Sequence, residues 1–161
     1  MSKIAIYTDG AATGNPGPGG YGAILQSGAH YKEMSGGFRL TTNNRMELMG
    51  VIAALESLKK ENCEVTVYSD SQYVVNSVEK KWLDSWVKKG FRKKKNADLW
   101  KRYLLAAANH KVHFVWIKGH AGHPMNERCD ALAVNASLVK NLPMDHWYEA
   151  NRNNEDLFSA A

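Results

Sequence analysis

The sequence predicts an α/β domain in which a five-stranded mixed sheet carries helices on both faces. Three short apolar segments near the N-terminus, joined by brief glycine-containing turns, indicate an antiparallel meander. A long helical pattern then leads into a fourth strand, and this β-α-β order requires a crossover and parallel pairing. Further helical patterns alternate with a fifth strand. The predicted order β-β-β-α-β-α-α-α-β-α is typical of a layered α/β domain.

The meander begins with a strand that ends in an acidic residue. Ile4, Ile6 and Thr8 alternate with the residues between them, which predicts a strand with one face toward each layer and Asp9 at its end. The glycine- and proline-rich run 14–20 is predicted to be a turn-rich segment outside the sheet. Residues 21–26 and 31–39 are predicted to form the second and third strands.

The remaining elements follow from capping residues and apolar spacing. Polar residues 41–44 precede the clearest helix, and Ser71 and Asn96 or Asp98 can begin later ones. The predicted helices span residues 46–58, 71–78, 82–87, 96 or 98 to 108, and 125–138, and the predicted strands span residues 65–70 and 112–117. Residues 1–140 are predicted to be one domain, and residues 141–161 an irregular C-terminal tail that belongs to this domain or is partly disordered.

Charge is distributed unevenly along the 161 residues. Residues 80–102 contain ten Lys or Arg and two Asp, a local charge of +8, which leaves −3 on the rest of a chain whose total is +5. One basic patch of this kind indicates a surface for a polyanion. No run approaches the ~20 apolar residues that span a bilayer, and Cys63 and Cys129 form no C-x-x-C motif. We therefore expect a cytoplasmic protein, without a membrane segment or an obligate protein partner, that is a monomer.

Four acids stand where strands or helices meet loops: Asp9, Glu47, Asp70 and Asp130. Each alone has an ordinary explanation as a turn former, a solvated helix residue or a first-turn helix stabiliser. Together they are predicted to converge, because the strands ending in Asp9 and Asp70 should be neighbours. Converging carboxylates repel one another, and a hard divalent cation removes that repulsion. Oxygen ligands favour Mg²⁺ or Mn²⁺, and two such ions suit phosphate-ester hydrolysis.

Four blocks of the sequence, in order, resemble the motifs of type 1 ribonuclease H. They are TDG with GNPG (8–10 and 14–17), TTNNRME (41–47), SDSQY (69–73) and KGHAGHPMNERCD (118–130). The resemblance implies a ribonuclease H-like fold and an endonuclease that hydrolyses the RNA strand of RNA/DNA hybrids to 5′-phosphate and 3′-hydroxyl ends by a two-metal-ion mechanism. It implies Mg²⁺ as cofactor, with Mn²⁺ as a substitute. By position, Asp9, Glu47, Asp70 and Asp130 are the metal ligands, and His120 is a mobile histidine that assists proton transfer or product release.

The same resemblance implies a set of substrate contacts. Amides and neighbouring residues are expected at the minor groove, Thr42 and Asn96 at a phosphate of the DNA strand, and residues 80–95, the basic segment, at backbone phosphates and sugars. The expected substrate-binding residues are Asn15, Thr42, Asn43, Asn44, Gln72, Tyr73, Trp82, Trp86, Lys93, Lys94, Lys95 and Asn96. Asn43 and Asn44 are alternatively helix caps, and Trp82 and Trp86 have the i, i+4 spacing of core packing.

Two other functions remain open at this point. One is a non-catalytic binder of hybrids or double-stranded RNA that keeps the fold, and the other is a DNA-cutting nuclease of the same broad fold. The four acids argue against the first alternative.

Overall fold

The computed structural model of the protein describes the backbone of residues 1–158 and the side chains of residues 1–153. Five strands form one sheet, and their spatial order is the third, second, first, fourth and fifth. The strands are β1 (Lys3–Ala12), β2 (Gly17–Ser27), β3 (His30–Thr41), β4 (Glu64–Ser69) and β5 (Lys111–Trp116). The five-stranded mixed sheet predicted from the sequence is confirmed.

Strand pairing follows the predicted meander and crossover. β1 pairs antiparallel with β2, which pairs antiparallel with β3. On its other edge β1 runs parallel to β4, with Tyr7 opposite Tyr68, and β4 runs parallel to β5. Since β1 and β4 are parallel neighbours, their C-terminal ends lie side by side.

The glycine-rich run was predicted to lie outside the sheet, and this is wrong from Gly17 onward. β2 begins at Gly17, and Gly20 pairs with β1 and β3. A side chain at Gly20 would collide with the main chain at Ala133 in a helix that covers this part of the sheet. The glycines therefore permit close helix-on-sheet packing, which the turn signal alone does not reveal.

Within the described residues, six helices accompany the sheet. They are α1 (Asn43–Glu56), α2 (Gln72–Glu79), α3 (Trp82–Lys88), α4 (Ala97–Ala107), α5 (Pro124–Ser137) and α6 (His146–Phe158). Thr42 caps α1 by accepting a hydrogen bond from the backbone N–H of Arg45, and Ser71 caps α2 in the same way through Val74. None of the described helices is both long and apolar enough to cross a membrane.

α1 is the central helix of the core. Eleven consecutive residues, from Arg45 to Leu55, are buried, because α1 lies between the sheet and α4. α5 covers the opposite face: a side chain at Gly22 of β2 would strike the main chain at Cys129. The prediction of helices on both faces is confirmed.

Residues 146–158 form a helix where the sequence analysis expected an irregular tail. Contacts at Arg39 attach this helix, α6, and the segment before it to β3. The backbone N–H of Arg39 donates to the carbonyl of Pro143, and the Arg39 guanidinium forms two hydrogen bonds of 3.0 and 2.9 Å with Glu149. Few apolar residues recur at helical spacing within α6, and polar tertiary contacts attach it to the domain. The sequence prediction relies on periodic apolar residues and therefore missed this helix. Residues 159–161 lie outside the described residues.

Candidate active site

Three of the predicted acids meet at the C-terminal ends of two parallel strands. Asp9 lies in the last part of β1, and Asp70 directly follows β4. Glu47 comes from the first turns of α1. A side chain at Gly10 would collide with the backbone of Met46 and Glu47, so the bare backbone at this position lets α1 approach β1. The close approach places Glu47 beside Asp9.

The carboxylate oxygens of these acids lie close enough together that the cluster could hold a cation. One carboxylate oxygen from each of Asp9, Glu47 and Asp70 lies within 4.8 Å of the others. Asp130 and His120 line the same pocket, of about 460 Å³, without joining this closest group. The structure therefore brings all five predicted catalytic residues to one pocket, three of them tightly together.

Burial and mutual repulsion perturb the acids in this cluster. Burial, followed by the negative charge of Asp70, raises the pKa of Asp9 to about 7, against an ordinary value of 3.8. Burial and the charges of Asp9 and Asp70 raise the pKa of Glu47 well above its usual range. The backbone N–H of Gly10 donates to Asp9 Oδ1 at 2.9 Å and offsets only part of this effect.

The residues present fit a divalent metal ion. Glu47 Oε2 is buried and lacks a hydrogen-bond partner. A buried charged oxygen without a partner is costly, and a cation satisfies it. The donor set consists of carboxylate oxygens alone, which suits a hard cation better than a soft one. The cluster could thus hold a metal.

Amide side chains surround the acids. Asn43, Asn44, Gln72 and Tyr73 line the acidic pocket. Asn43 Oδ1 accepts a hydrogen bond from the backbone of Ala12. Its own backbone N–H donates to Asn15 Oδ1 at 3.0 Å, and this ties the glycine-rich loop to α1. Because Thr42 caps α1, the proposed capping role of Asn43 and Asn44 is not the observed one.

A second pocket, of about 390 Å³, lies beside the first. Asn43 and Asn44 line both pockets, Asn15 lines the second pocket alone, and the second pocket also contains the residues expected at a phosphate. Its further lining residues are Pro16, Thr42, Lys95, Asn96 and Tyr148. Tyr148 belongs to α6 and was not predicted from the sequence.

The two tryptophans of the basic segment have different environments. Trp86 packs against the core, with its ring centroid 5.9 Å from that of the fully buried Trp100. Trp82 is 43% exposed, with the Lys80 ammonium 5.7 Å from its ring centroid. The Lys94 ammonium lies 5.2 Å from the Trp86 ring centroid. Core packing therefore accounts for Trp86, while Trp82 offers an aromatic surface beside a cation.

Sequence reasoning missed several residues that contact the site residues. Trp116 Nε1 donates to the backbone carbonyl of Asp70 at 3.1 Å, and Asn126 Nδ2 lies 3.5 Å from Asp70 Oδ2. Arg45, whose side chain is 1% exposed, joins the start of α1 to α4 and to Asp145. An arginine within a helix shows no periodic signal of burial. Only its place between Asn44 and Glu47 could have drawn attention to it.

Comparison with known proteins gives this geometry a family. The sequence profile of the family described as RNase H matches residues 1–138. The chain belongs to the RNase H family. Two relatives named Ribonuclease H support the assignment. The protein of Desulforamulus reducens is 55% identical over 150 residues, covering 90% of this chain and 94% of the relative. That of Lachnoclostridium phytofermentans is 56% identical, covering 91% of this chain and 99% of the relative.

Solved structures agree with this RNase H assignment. LC9-RNase H1, described as a type 1 RNase H with the type 2 active-site motif, is 27% identical, with a TM-score of 0.77, covering 98% of this chain and 85% of that one. LC11-RNase H1, solved in complex with an RNA/DNA hybrid, is 30% identical, with a TM-score of 0.61, covering 83% of this chain and 95% of that one. This RNase H is therefore an enzyme of the ribonuclease class with the family fold.

Proposed function

We propose that the protein hydrolyses the RNA strand of RNA/DNA hybrids as a metal-dependent endonuclease that leaves 5′-phosphate and 3′-hydroxyl ends. The observation that carries the proposal is the buried acidic cluster with an unpartnered Glu47 oxygen. Family membership and the hybrid bound by LC11-RNase H1 support the substrate class.

Asp9, Glu47 and Asp70 would hold one Mg²⁺, and Asp130 with Asp9 a second, with Mn²⁺ as a substitute. Bound there, the ions supply an activated water and neutralise charge on the leaving oxygen. The chain's residues supply the geometry. Gly10 keeps Glu47 beside Asp9, and the Trp116 hydrogen bond fixes the main chain at Asp70.

His120 is the residue proposed to move protons near the reacting phosphate. It lies on the rim of the acidic pocket, is exposed, and has a positive φ of 54° in a loop. An imidazole can both accept and donate a proton, which is the role proposed for His120. Exposure lets it exchange that proton with solvent after each turnover.

The amide side chains beside the acids are proposed to recognise the hybrid through its minor groove. Asn15, Asn43, Asn44 and Gln72 can bond to base edges and to ribose 2′-hydroxyls, which distinguish RNA from DNA. Tyr73 borders the same surface. The second pocket is proposed to take a phosphate of the DNA strand on Thr42 and Asn96, and the basic segment to follow the backbone through Lys93, Lys94, Lys95 and the exposed Trp82, with Trp86 supporting it from the core.

The test compares three duplexes of one sequence: RNA/DNA hybrid, duplex DNA and duplex RNA, each with Mg²⁺ and with EDTA. We expect cleavage of the hybrid alone, in its RNA strand, with Mg²⁺ alone. The Asp9→Asn variant should fold and lose cleavage, and the Glu61→Gln variant, which changes an exposed acid outside both pockets, should retain it.

Each other outcome contradicts part of the proposal. Binding of the hybrid without cleavage indicates the non-catalytic binder, and cleavage of duplex DNA indicates the DNA nuclease. Cleavage in EDTA, or by Asp9→Asn, refutes the metal-bound acid cluster. The monomeric state and the cytoplasmic location remain predictions from the sequence, and gel filtration and cell fractionation test them.

A further inference from the structure

Arg45 is the most completely bonded charged side chain in the core. Its guanidinium donates to both carboxylate oxygens of Asp98, each at 2.8 Å, and to both of Asp145, at 2.7 and 3.0 Å. The Trp147 ring centroid lies 5.3 Å from Arg45 Cζ. One buried cation therefore joins the start of α1 to the start of α4 and to the segment just before α6.

The same arginine contacts the residues of the second pocket. Its backbone N–H donates to the Thr42 hydroxyl at 3.2 Å, and its Nη1 lies 3.4 Å from Asn96 Oδ1. With its oxygen toward Arg45, Asn96 turns its amide nitrogen to the Tyr73 hydroxyl at 3.1 Å. Asn96 is only 5% exposed and has a positive φ of 62°, so its position depends on these contacts.

Asp145 extends the network to the end of β3 and to the pocket wall. It accepts hydrogen bonds from the Thr41 hydroxyl at 2.9 Å and from the backbone N–H of Tyr148 at 3.4 Å. Tyr148 lines the second pocket and is 7% exposed. The C-terminal segment thus supplies one wall of the pocket and the acid that holds its central arginine.

We propose that Arg45 and Asp145 are positioning residues for the phosphate-binding pocket, and that residues 143–148 are therefore a working part of the substrate site. The proposal rests on the proposed function. Arg45 does not attract the phosphate itself, because it is surrounded by the carboxylates of Asp98 and Asp145. These three side chains together carry a net negative charge. Its guanidinium holds Asn96 in place, its backbone N–H donates to the Thr42 hydroxyl, and Lys95 is a cation that lines the pocket. A preorganised pocket binds more tightly because less ordering accompanies binding.

Two variants alter the network while leaving the pocket-lining side chains unchanged. Arg45→Lys keeps the buried charge and loses the planar fork that bridges two acids. Asp145→Asn keeps the shape of the side chain and removes its charge, which weakens its bonds to the Arg45 guanidinium. The matched control is Arg128→Lys, because Arg128 also joins two elements, α5 and β3, through two hydrogen bonds, of 2.7 and 2.8 Å, to Glu33, at the surface and outside the lining of both pockets. Circular dichroism selects a temperature at which all variants are folded.

The measurement is hybrid binding in EDTA, by fluorescence anisotropy, with single methylphosphonates placed in turn along each strand. A methylphosphonate removes one phosphate charge. We expect the wild type to lose about tenfold in affinity at one DNA-strand position. Arg45→Lys and Asp145→Asn should bind the unmodified hybrid about tenfold more weakly and respond little to that substitution. Arg128→Lys should behave as the wild type.

A second readout is the split between kcat and KM with Mg²⁺. The two variants should raise KM several-fold with kcat nearly unchanged, because the network lies outside the acid cluster. If both variants retain the wild-type response at the sensitive phosphate, the positioning role is refuted. If the wild type binds no hybrid, or has no sensitive phosphate in the DNA strand, the proposed function or its pocket fails instead.

Discussion

Replacing Asp9 with Asn should make the metal-free protein more stable at neutral pH while abolishing its activity. Asp9 is 5% exposed, and burial beside Asp70 raises its pKa to about 7 from an ordinary 3.8. A raised carboxyl pKa means that the folded state holds its proton more tightly than the unfolded state. An amide keeps the shape of the protonated acid and never ionises.

The sign and size follow from linkage. Between pH 3.8 and about 7 the unfolded Asp9 has lost its proton and the folded one has not, so the stability of the wild type falls as pH rises and is level above about 7. A difference of about three pKa units corresponds to roughly 4 kcal/mol. Because the acids share this repulsion, we expect Asp9→Asn to gain about 2–4 kcal/mol at pH 8 and almost nothing at pH 4.

The assay is urea unfolding in EDTA at a series of pH values, followed by circular dichroism. The variant should show a weaker loss of stability between pH 4 and 7 than the wild type. Glu61→Gln, which neutralises an exposed acid, should change stability by less than about 0.5 kcal/mol at every pH. A variant that is less stable than the wild type at pH 8, or an unchanged slope between pH 4 and 7, would refute the reasoning.

Three further outcomes follow from the structure. Changing Lys93, Lys94 and Lys95 to Gln should raise KM and flatten its dependence on salt more than it lowers kcat, as steady-state kinetics at several salt concentrations would show; an unchanged salt slope contradicts this. Trp86→Ala should cost about 2–4 kcal/mol in urea unfolding and Trp82→Ala less than about 1, because Trp86 packs in the core; equal costs contradict the assignment. Mg²⁺ at about 100 times its Kd should stabilise the protein by about 2.7 kcal/mol and so raise Tm by about 5–10 °C. Differential scanning calorimetry measures this shift, and a Tm that does not change with Mg²⁺ contradicts the metal site.

The sheet was predictable because its signals are local. Alternation at Ile4, Ile6 and Thr8, the caps Thr42 and Ser71, and the apolar spacing of α1 each act within a few residues. The convergence of the acids also followed, since two parallel strands that end in acids must bring them together. Membership of the family added the roles expected of each acid.

The C-terminal segment was not predictable by the same reasoning. Its attachment depends on Asp145 and Glu149, which pair with arginines 100 and 110 residues away in the chain. An ion pair between distant residues leaves no periodic pattern in the sequence, because each partner alone resembles a surface residue. The close packing at Gly20 has the same character: the glycine reads locally as a turn, and only the helix above it explains its place in a strand.

Arg45 and Glu47 lie two residues apart at the start of α1, and both are buried. They differ in whether the protein supplies partners for their polar atoms. Arg45 is surrounded by two carboxylates, and all of its bonds are made within the protein. Glu47 faces other acids and keeps an oxygen without a partner. A buried charge that lacks compensation costs free energy in every folded molecule without a ligand. Of these two residues, Glu47 is the one with an oxygen left for a metal ion.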